Sequence, residues 1–181
     1  MTKNNFYVIT GGPGGGKTSL LDLLAAKGYS YVPETAREII KQRLSQGLPP
    51  RPDAATFAQQ MFLKDFENYI SNTGMKSLLF FDRSFLDSAH LLYNSGAGSY
   101  EKIKGTHLIH RYNQKVFITP PWKEIYSNDS ERDQTFEQAI EVYDNLYNWY
   151  TLHKYDVITI PKGTIENRAN FILDRVSPKS K

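Results

Sequence analysis

Residues 11–18 read Gly-Gly-Pro-Gly-Gly-Gly-Lys-Thr, the spacing G-x-x-x-x-G-K-[ST]. The β-rich run Phe6-Tyr-Val-Ile-Thr10 precedes it and a leucine-rich helical stretch follows it, the context this motif requires. Five of the chain's 12 glycines fall in this loop. At that density successive backbone N–H groups can converge on an anion with no side chain in the way. Lys17 would then face the β- and γ-phosphates of a nucleotide, and the Thr18 hydroxyl would ligate Mg²⁺. The first helical turn, with Ser19, adds its dipole. Gly11, Gly12, Pro13, Gly14, Gly15, Gly16, Lys17, Thr18 and Ser19 are therefore the expected phosphate-binding residues, with ATP and Mg²⁺ as cofactors.

Two carboxylates follow apolar runs. Leu78-Leu-Phe-Phe-Asp82 ends in an acid of the kind that stands beside Mg²⁺ in phosphate-loop proteins, so Thr18 and Asp82 are the expected metal ligands. Arg83-Ser84 comes next, not the Glu that polarises water in hydrolytic motors, and no Asn-Lys-x-Asp is present to read guanine. A phosphate loop without a water-activating Glu suits phosphoryl transfer to a bound acceptor better than motor hydrolysis. Tyr31-Val-Pro-Glu34-Thr-Ala-Arg37 delivers Glu34 to the ligand edge of an open α/β sheet. A carboxylate there accepts the proton of an attacking hydroxyl, or else complements the dipole of the helix it starts. Arg37, one turn on, binds a phosphate or pairs with Glu34.

The elements that must hold these residues alternate. Strands are expected at Phe6–Thr10, Tyr29–Pro33, Leu78–Asp82, Val116–Thr119 and Val157–Ile160, nearly all apolar as in a sheet covered on both faces. Helices are expected at Lys17–Lys27, Thr35–Gln46, Ala54–Asn72, Gln134–His153 and Ile165–Arg175. Strand–helix alternation implies an α/β fold with a parallel sheet of five strands. The 181 residues fit a single domain, 1–181. Residues 96–105 read as a loose stretch, and the polar segment 123–133 as a mobile lid. The formal charge, 22 − 19 = +3, is too small to argue for nucleic acid. The absence of cysteine excludes disulfides, thiolate zinc sites and Cys nucleophiles. Neither a secretory signal nor an apolar membrane span is present, so a soluble cytoplasmic protein is expected.

Gly11–Ser19, Val-Pro-Glu34, Phe81-Asp-Arg-Ser84 and the charged segment before the Gln134 helix resemble the P-loop kinases of nucleosides and nucleotides. The chain is more similar still to small AAA-type ATP-binding proteins allied to the nicotinamide riboside kinase domain of bacterial NAD regulators. They share Pro-Glu-x-Ala-Arg, Asp-Arg-Ser, Pro-Pro-Trp and Asp-x-Glu-Arg with it. The resemblance runs from Phe6 to about Phe171 and implies a three-layer P-loop fold with strand order 2-3-1-4-5. It implies Glu34 as base, Asp82 as the Mg²⁺-side carboxylate, Arg83 as a substrate contact and Gln60 as a reader of the acceptor's base. Arg132, in Asp129-Ser-Glu-Arg132, either swings over the γ-phosphate when the acceptor binds or is a surface arginine paired with Asp129 or Glu131. Asp82 stands where deoxynucleoside kinases have Glu, and the lid carries only Arg132 where they use several arginines. The function implied is transfer of the γ-phosphoryl of ATP·Mg²⁺ to a small hydroxyl acceptor. The alternative is a regulatory ATPase or GTPase module with slow hydrolysis and a protein or lipid partner. Elsewhere, His107 and His110 are expected on a solvated helix face, and Tyr143, Tyr147, Trp149 and Tyr150 in the core. Trp122 either covers a ligand or packs under the lid. Gly163 lies beside an adenine or simply enters a helix.

Overall fold

A computed structural model describes residues 2–126 and 135–176. Five strands, β1 (Phe6–Gly11), β2 (Ser30–Val32), β3 (Leu79–Asp82), β4 (Lys115–Thr119) and β5 (Asp156–Thr159), form one parallel sheet in the order β2-β3-β1-β4-β5. This is the expected order. It places the carboxyl ends of β1, β2 and β3 side by side, with Ile9 paired to Asp82 and Val32 to Phe81.

The alternation of side chains along a strand builds the two core layers. Phe6 and Val8 of β1 point to one face, where Phe81, Tyr112, Val116 and Tyr150 surround them. Tyr7 and Ile9 point to the other, against Leu20, Leu21, Leu24, Phe117 and Ile172. The first face is covered by α3 (Ala54–Ser71), α4 (Phe85–Asn94) and α6 (Phe136–Leu152), the second by α1 (Lys17–Ala26) and α7 (Ile165–Val176). Both sheet faces are buried, which explains the apolar run Phe6–Ile9 of β1. α2 (Thr35–Ser45) follows β2 and leans on α3.

Four expectations need correction. α4 is a helix where none was expected. Ser84-Phe-Leu-Asp87 caps it reciprocally: the Ser84 hydroxyl accepts from backbone N–H groups and the Asp87 carboxylate accepts from the Ser84 N–H. The stretch read as loose is helical from Tyr100, because α5 (Tyr100–Ile109) starts there behind a Ser99 cap. His107 is buried, not solvated; it stacks edge-on against His153 and sits 3.1 Å from that residue's carbonyl oxygen. Burial pushes its imidazole down to about 4, so it is neutral near pH 7. Of the α6 aromatics expected in the core, Trp149 and Tyr150 are buried, whereas Tyr143 is only half-buried and Tyr147 is exposed. No described helix is long and apolar enough to cross a membrane.

Candidate active site

The glycine-rich loop leaves β1 and turns into α1 through Gly16, whose φ of 72° lies in the left-handed region. Two glycines are required by packing as well as by any ligand. A Cβ on Gly11 would stand 2.4 Å from Thr119 Oγ1, and one on Gly12 would stand 2.5 Å from the Ala139 carbonyl oxygen of α6. The loop is thus pressed from outside by β4 and α6, which leaves its inner side for a ligand. Lys17, at the start of α1, is buried and donates to the carbonyls of Gly11 (3.1 Å) and Gly12 (2.9 Å). Thr18 and Ser19 are exposed at the mouth.

Asp82 ends β3 beside this loop and is 7% exposed. Its Oδ1 is buried with no hydrogen-bond partner. Burial pushes its carboxyl up to about 6; Lys17 and Arg83 oppose that rise, while Glu34 and Asp87 add to it. An orphaned, desolvated carboxylate oxygen near enough to Lys17 to feel its charge fits a cation that arrives with its own ligands. Among the described residues no cluster of three acids or imidazoles could hold a metal unaided. Mg²⁺, which keeps several waters and takes few protein ligands, matches such a sparse donor set.

Arg83 follows with φ of 70°, a left-handed conformation rare for a residue with a Cβ. The turn is held by Arg83 N–H donating to the Ile9 carbonyl (3.0 Å). Its Nε donates to Glu34 Oε1 at 2.9 Å and its Nη1 lies 3.5 Å from Asp87 Oδ1. Arg37 Nε donates to the second Glu34 oxygen at 3.2 Å. Burial alone would lower the Arg83 pKa, yet Glu34, Asp87 and Asp82 hold it above its ordinary value. Asp87 anchors the group. It accepts from the Thr10 hydroxyl of β1, from Tyr150 of α6 and from Ser84. Backbone strain of this kind persists where surrounding contacts over-determine it, often at functional sites.

A second buried acid, Asp65 of α3, accepts from Thr35 and Ser88, the neighbours in sequence of Glu34 and Asp87. Burial pushes it up to about 7. Its folded pKa lies above the ordinary 3.8, so its contribution to stability is full below about pH 4 and is lost as pH rises through about 7. We expect Asp65→Asn, which can still bond both hydroxyls, to be more stable than the parent at pH 8, with a gap that narrows toward pH 5. The size of the shift caps the gain at about 4 kcal/mol. Denaturant midpoints at pH 5 and 8 check this; a variant less stable than the parent at both would contradict it.

Two cavities meet at the loop. One, about 440 Å³, is lined by Gly14–Ser19, Arg37, Trp122, Gly163 and Arg168. The other, about 630 Å³, lies on the α3–α4–α6 side, where Pro13, Glu34, Arg83 and Asp87 form one end, with apolar walls from Phe57, Met61 and Leu146. Arg51, His90, Asn94 and Asn145 also face this second cavity. Gln60 does not; it is exposed and lines a separate groove between α2 and α3 with Glu38 and Lys64. Trp122 and Gly163 line the loop-side cavity. Arg132 and residues 127–133 of the expected lid lie outside the described residues. Its first part forms a short 3₁₀ turn, Lys123–Ile125, and Ile125 and Tyr126 abut Gly16 and Gly14. Sequence reasoning missed Asp87, Asp65, Arg51, His90, Asn145 and Arg168; only Asp87 carried a local signal, the Ser84-x-x-Asp87 cap.

A parallel sheet in this order, with a glycine-rich loop between β1 and α1, defines a small P-loop protein of the kinase-like kind. The chain belongs to the AAA domain family, whose model matches residues 6–168. Deoxyadenosine kinase from M. mycoides, solved with bound dATP, superposes with a TM-score of 0.69 over 94% of this chain and 98% of that one, at 13% identity. The NadR protein in complex with NR superposes with a TM-score of 0.66 over 94% of this chain and 50% of that one, at 15% identity. At these identities the likeness is one of fold. A comparison with curated protein sequences gives no match.

Proposed function

We propose that the protein is a kinase that transfers the γ-phosphoryl of ATP·Mg²⁺ to a hydroxyl of a small, nucleoside-like acceptor. One observation carries this reading: Glu34, held by Arg83 and Arg37, lines an acceptor-sized cavity immediately across the phosphate loop from the loop-side cavity. A regulatory nucleotide switch needs no such cavity beside a carboxylate. The kinase fold of the similar structures supports the same reading.

In this reading Lys17 leaves the Gly11 and Gly12 carbonyls and meets the phosphates, as the loop amides do. Thr18 and Asp82 would hold Mg²⁺, which would supply charge neutralisation at the phosphates. Arg83 fixes Glu34 at the mouth of the acceptor cavity. As the acceptor oxygen bonds to the γ-phosphorus and the bond to ADP breaks, Glu34 takes the hydroxyl proton. The apolar walls keep competing water out of that position.

The acceptor's size follows from α4. Asp87 sits at the Glu34 end and Asn94 seven residues on, roughly 10 Å at 1.5 Å per residue. His90 is kept neutral by burial and lies 3.2 Å from the Asn94 amide nitrogen. The far end thus offers neutral amide and imidazole groups, suited to the edge of a heterocycle, while the near end offers a base for a hydroxyl. A sugar bearing such a ring spans that distance.

The test is ADP release by purified protein with ATP, Mg²⁺ and single nucleosides, including nicotinamide riboside. Acceptor-dependent release is expected; release at one rate with and without every acceptor would refute the proposal. Excess EDTA should abolish the acceptor-dependent release and added Mg²⁺ restore it. Full activity in EDTA would remove Thr18 and Asp82 from any metal role.

A further inference from the structure

Among the described residues, three cations and no acid line the loop-side cavity: Lys17, Arg37 and Arg168. Lys17 is close enough to Asp82 to shift its titration, and Arg37 donates to Glu34. Arg168, one turn into α7, has no carboxylate in ion-pair range among the described residues. It is 2% exposed. Its Nη2 donates to the Gly15 carbonyl at 2.7 Å, and its guanidinium carbon lies 5.7 Å from the centre of the Trp122 ring. Its Nε is buried with no partner.

An arginine cannot shed its proton in a protein, so burial leaves it charged. A buried charge without a counter-ion is costly, and folds retain such groups paired or where a ligand completes them. The Gly15 carbonyl satisfies one donor and turns that peptide's oxygen toward α7. It does not neutralise the charge. The cavity that Arg168 lines is the one the phosphate loop encloses, and its charged residues, among those described, are all cations.

We infer that Arg168 is a binding residue for the donor's polyphosphate, a counter-charge held in the wall of the cavity by Gly15 and Trp122 until the anion arrives. The inference rests on the proposed role of the loop as a nucleotide site. It adds a residue from the last helix, far in sequence from the motif, and ties α7 to donor binding. It also makes the ligand-free protein carry an unbalanced charge that the ligand relieves.

The test uses Mg·ATP and Mg·tripolyphosphate as probes, with equilibrium binding to the full chain and melting of the ligand-free protein. Arg168→Met removes the charge and keeps the length. It should bind both probes about 10–100-fold more weakly, the loss expected for one charged hydrogen-bonding group, without a lower melting temperature. Arg168→Lys, which keeps the charge, should recover part of the affinity. Weaker ATP binding with unchanged tripolyphosphate binding would place Arg168 on the base through Trp122 and overturn the inference. A lower melting temperature with unchanged tripolyphosphate affinity would make it only a loop clamp, with the same consequence. Lys17→Ala separates the two levels. If that variant loses both probes while Arg168→Met keeps them, the inference fails and the nucleotide site stands. If Lys17→Ala binds both normally, or the parent binds neither, the nucleotide site fails and the inference with it.

Discussion

Lys17→Ala should eliminate measurable nucleotide binding and lower turnover by about 10³-fold or more, the scale on which a cation at a transferring phosphoryl group acts. Lys17 is buried at the start of α1 and its ammonium holds the carbonyls of Gly11 and Gly12. Alanine supplies neither the contact to the loop nor the charge for the phosphates. It also leaves Asp82, whose upward shift Lys17 opposes, buried with one fewer cation. The variant should therefore melt lower as well as bind less. Binding by calorimetry, with circular dichroism to confirm the fold, checks both parts. A folded variant with parental affinity and turnover would remove the loop from the chemistry.

Glu34→Gln has the second largest expected effect, a loss of about 10²–10⁴ in transfer rate with ATP binding kept. Glutamine preserves size but cannot accept the proton. Its carboxamide can accept from only one of the two guanidinium groups that now share Glu34, so Arg83 or Arg37 loses a partner. A modest drop in stability should accompany the loss of rate, and Km for ATP should barely move. Single-turnover transfer measured beside ATP affinity distinguishes this from a general collapse of the site. If transfer persists at the parental rate, Glu34 is a helix-start carboxylate, and the switch reading returns.

Much of this arrangement is legible in the sequence because its signals are local. The loop, its preceding strand and its following helix lie within 21 consecutive residues, from Phe6 to Ala26. The acids closing β2 and β3 are marked by the apolar runs before them. What stays hidden is assembled from distant segments. Asp87 has partners at Thr10, Ser84 and Tyr150, and only the neighbour Ser84 is visible as a pattern. The left-handed turn at Arg83 has no signature, since a Gly or Asn there would be the usual sign. Gln60 shows the limit of helical phase. Ala58, Met61, Asp65 and Tyr69 set the buried stripe of α3, and Gln60 falls beside it toward α2, away from Glu34. Arg168 joins the site through tertiary packing of α7 alone.

The fate of labelled phosphate tests the central claim most directly. The protein is incubated with ATP labelled at the γ-phosphoryl, Mg²⁺ and each candidate nucleoside, and the products are separated. Label should appear in a phosphorylated acceptor with the parent and fall by at least about 10²-fold with Glu34→Gln. Label found only in inorganic phosphate, at one rate with or without every acceptor, would contradict a kinase and leave a hydrolytic nucleotide-binding protein.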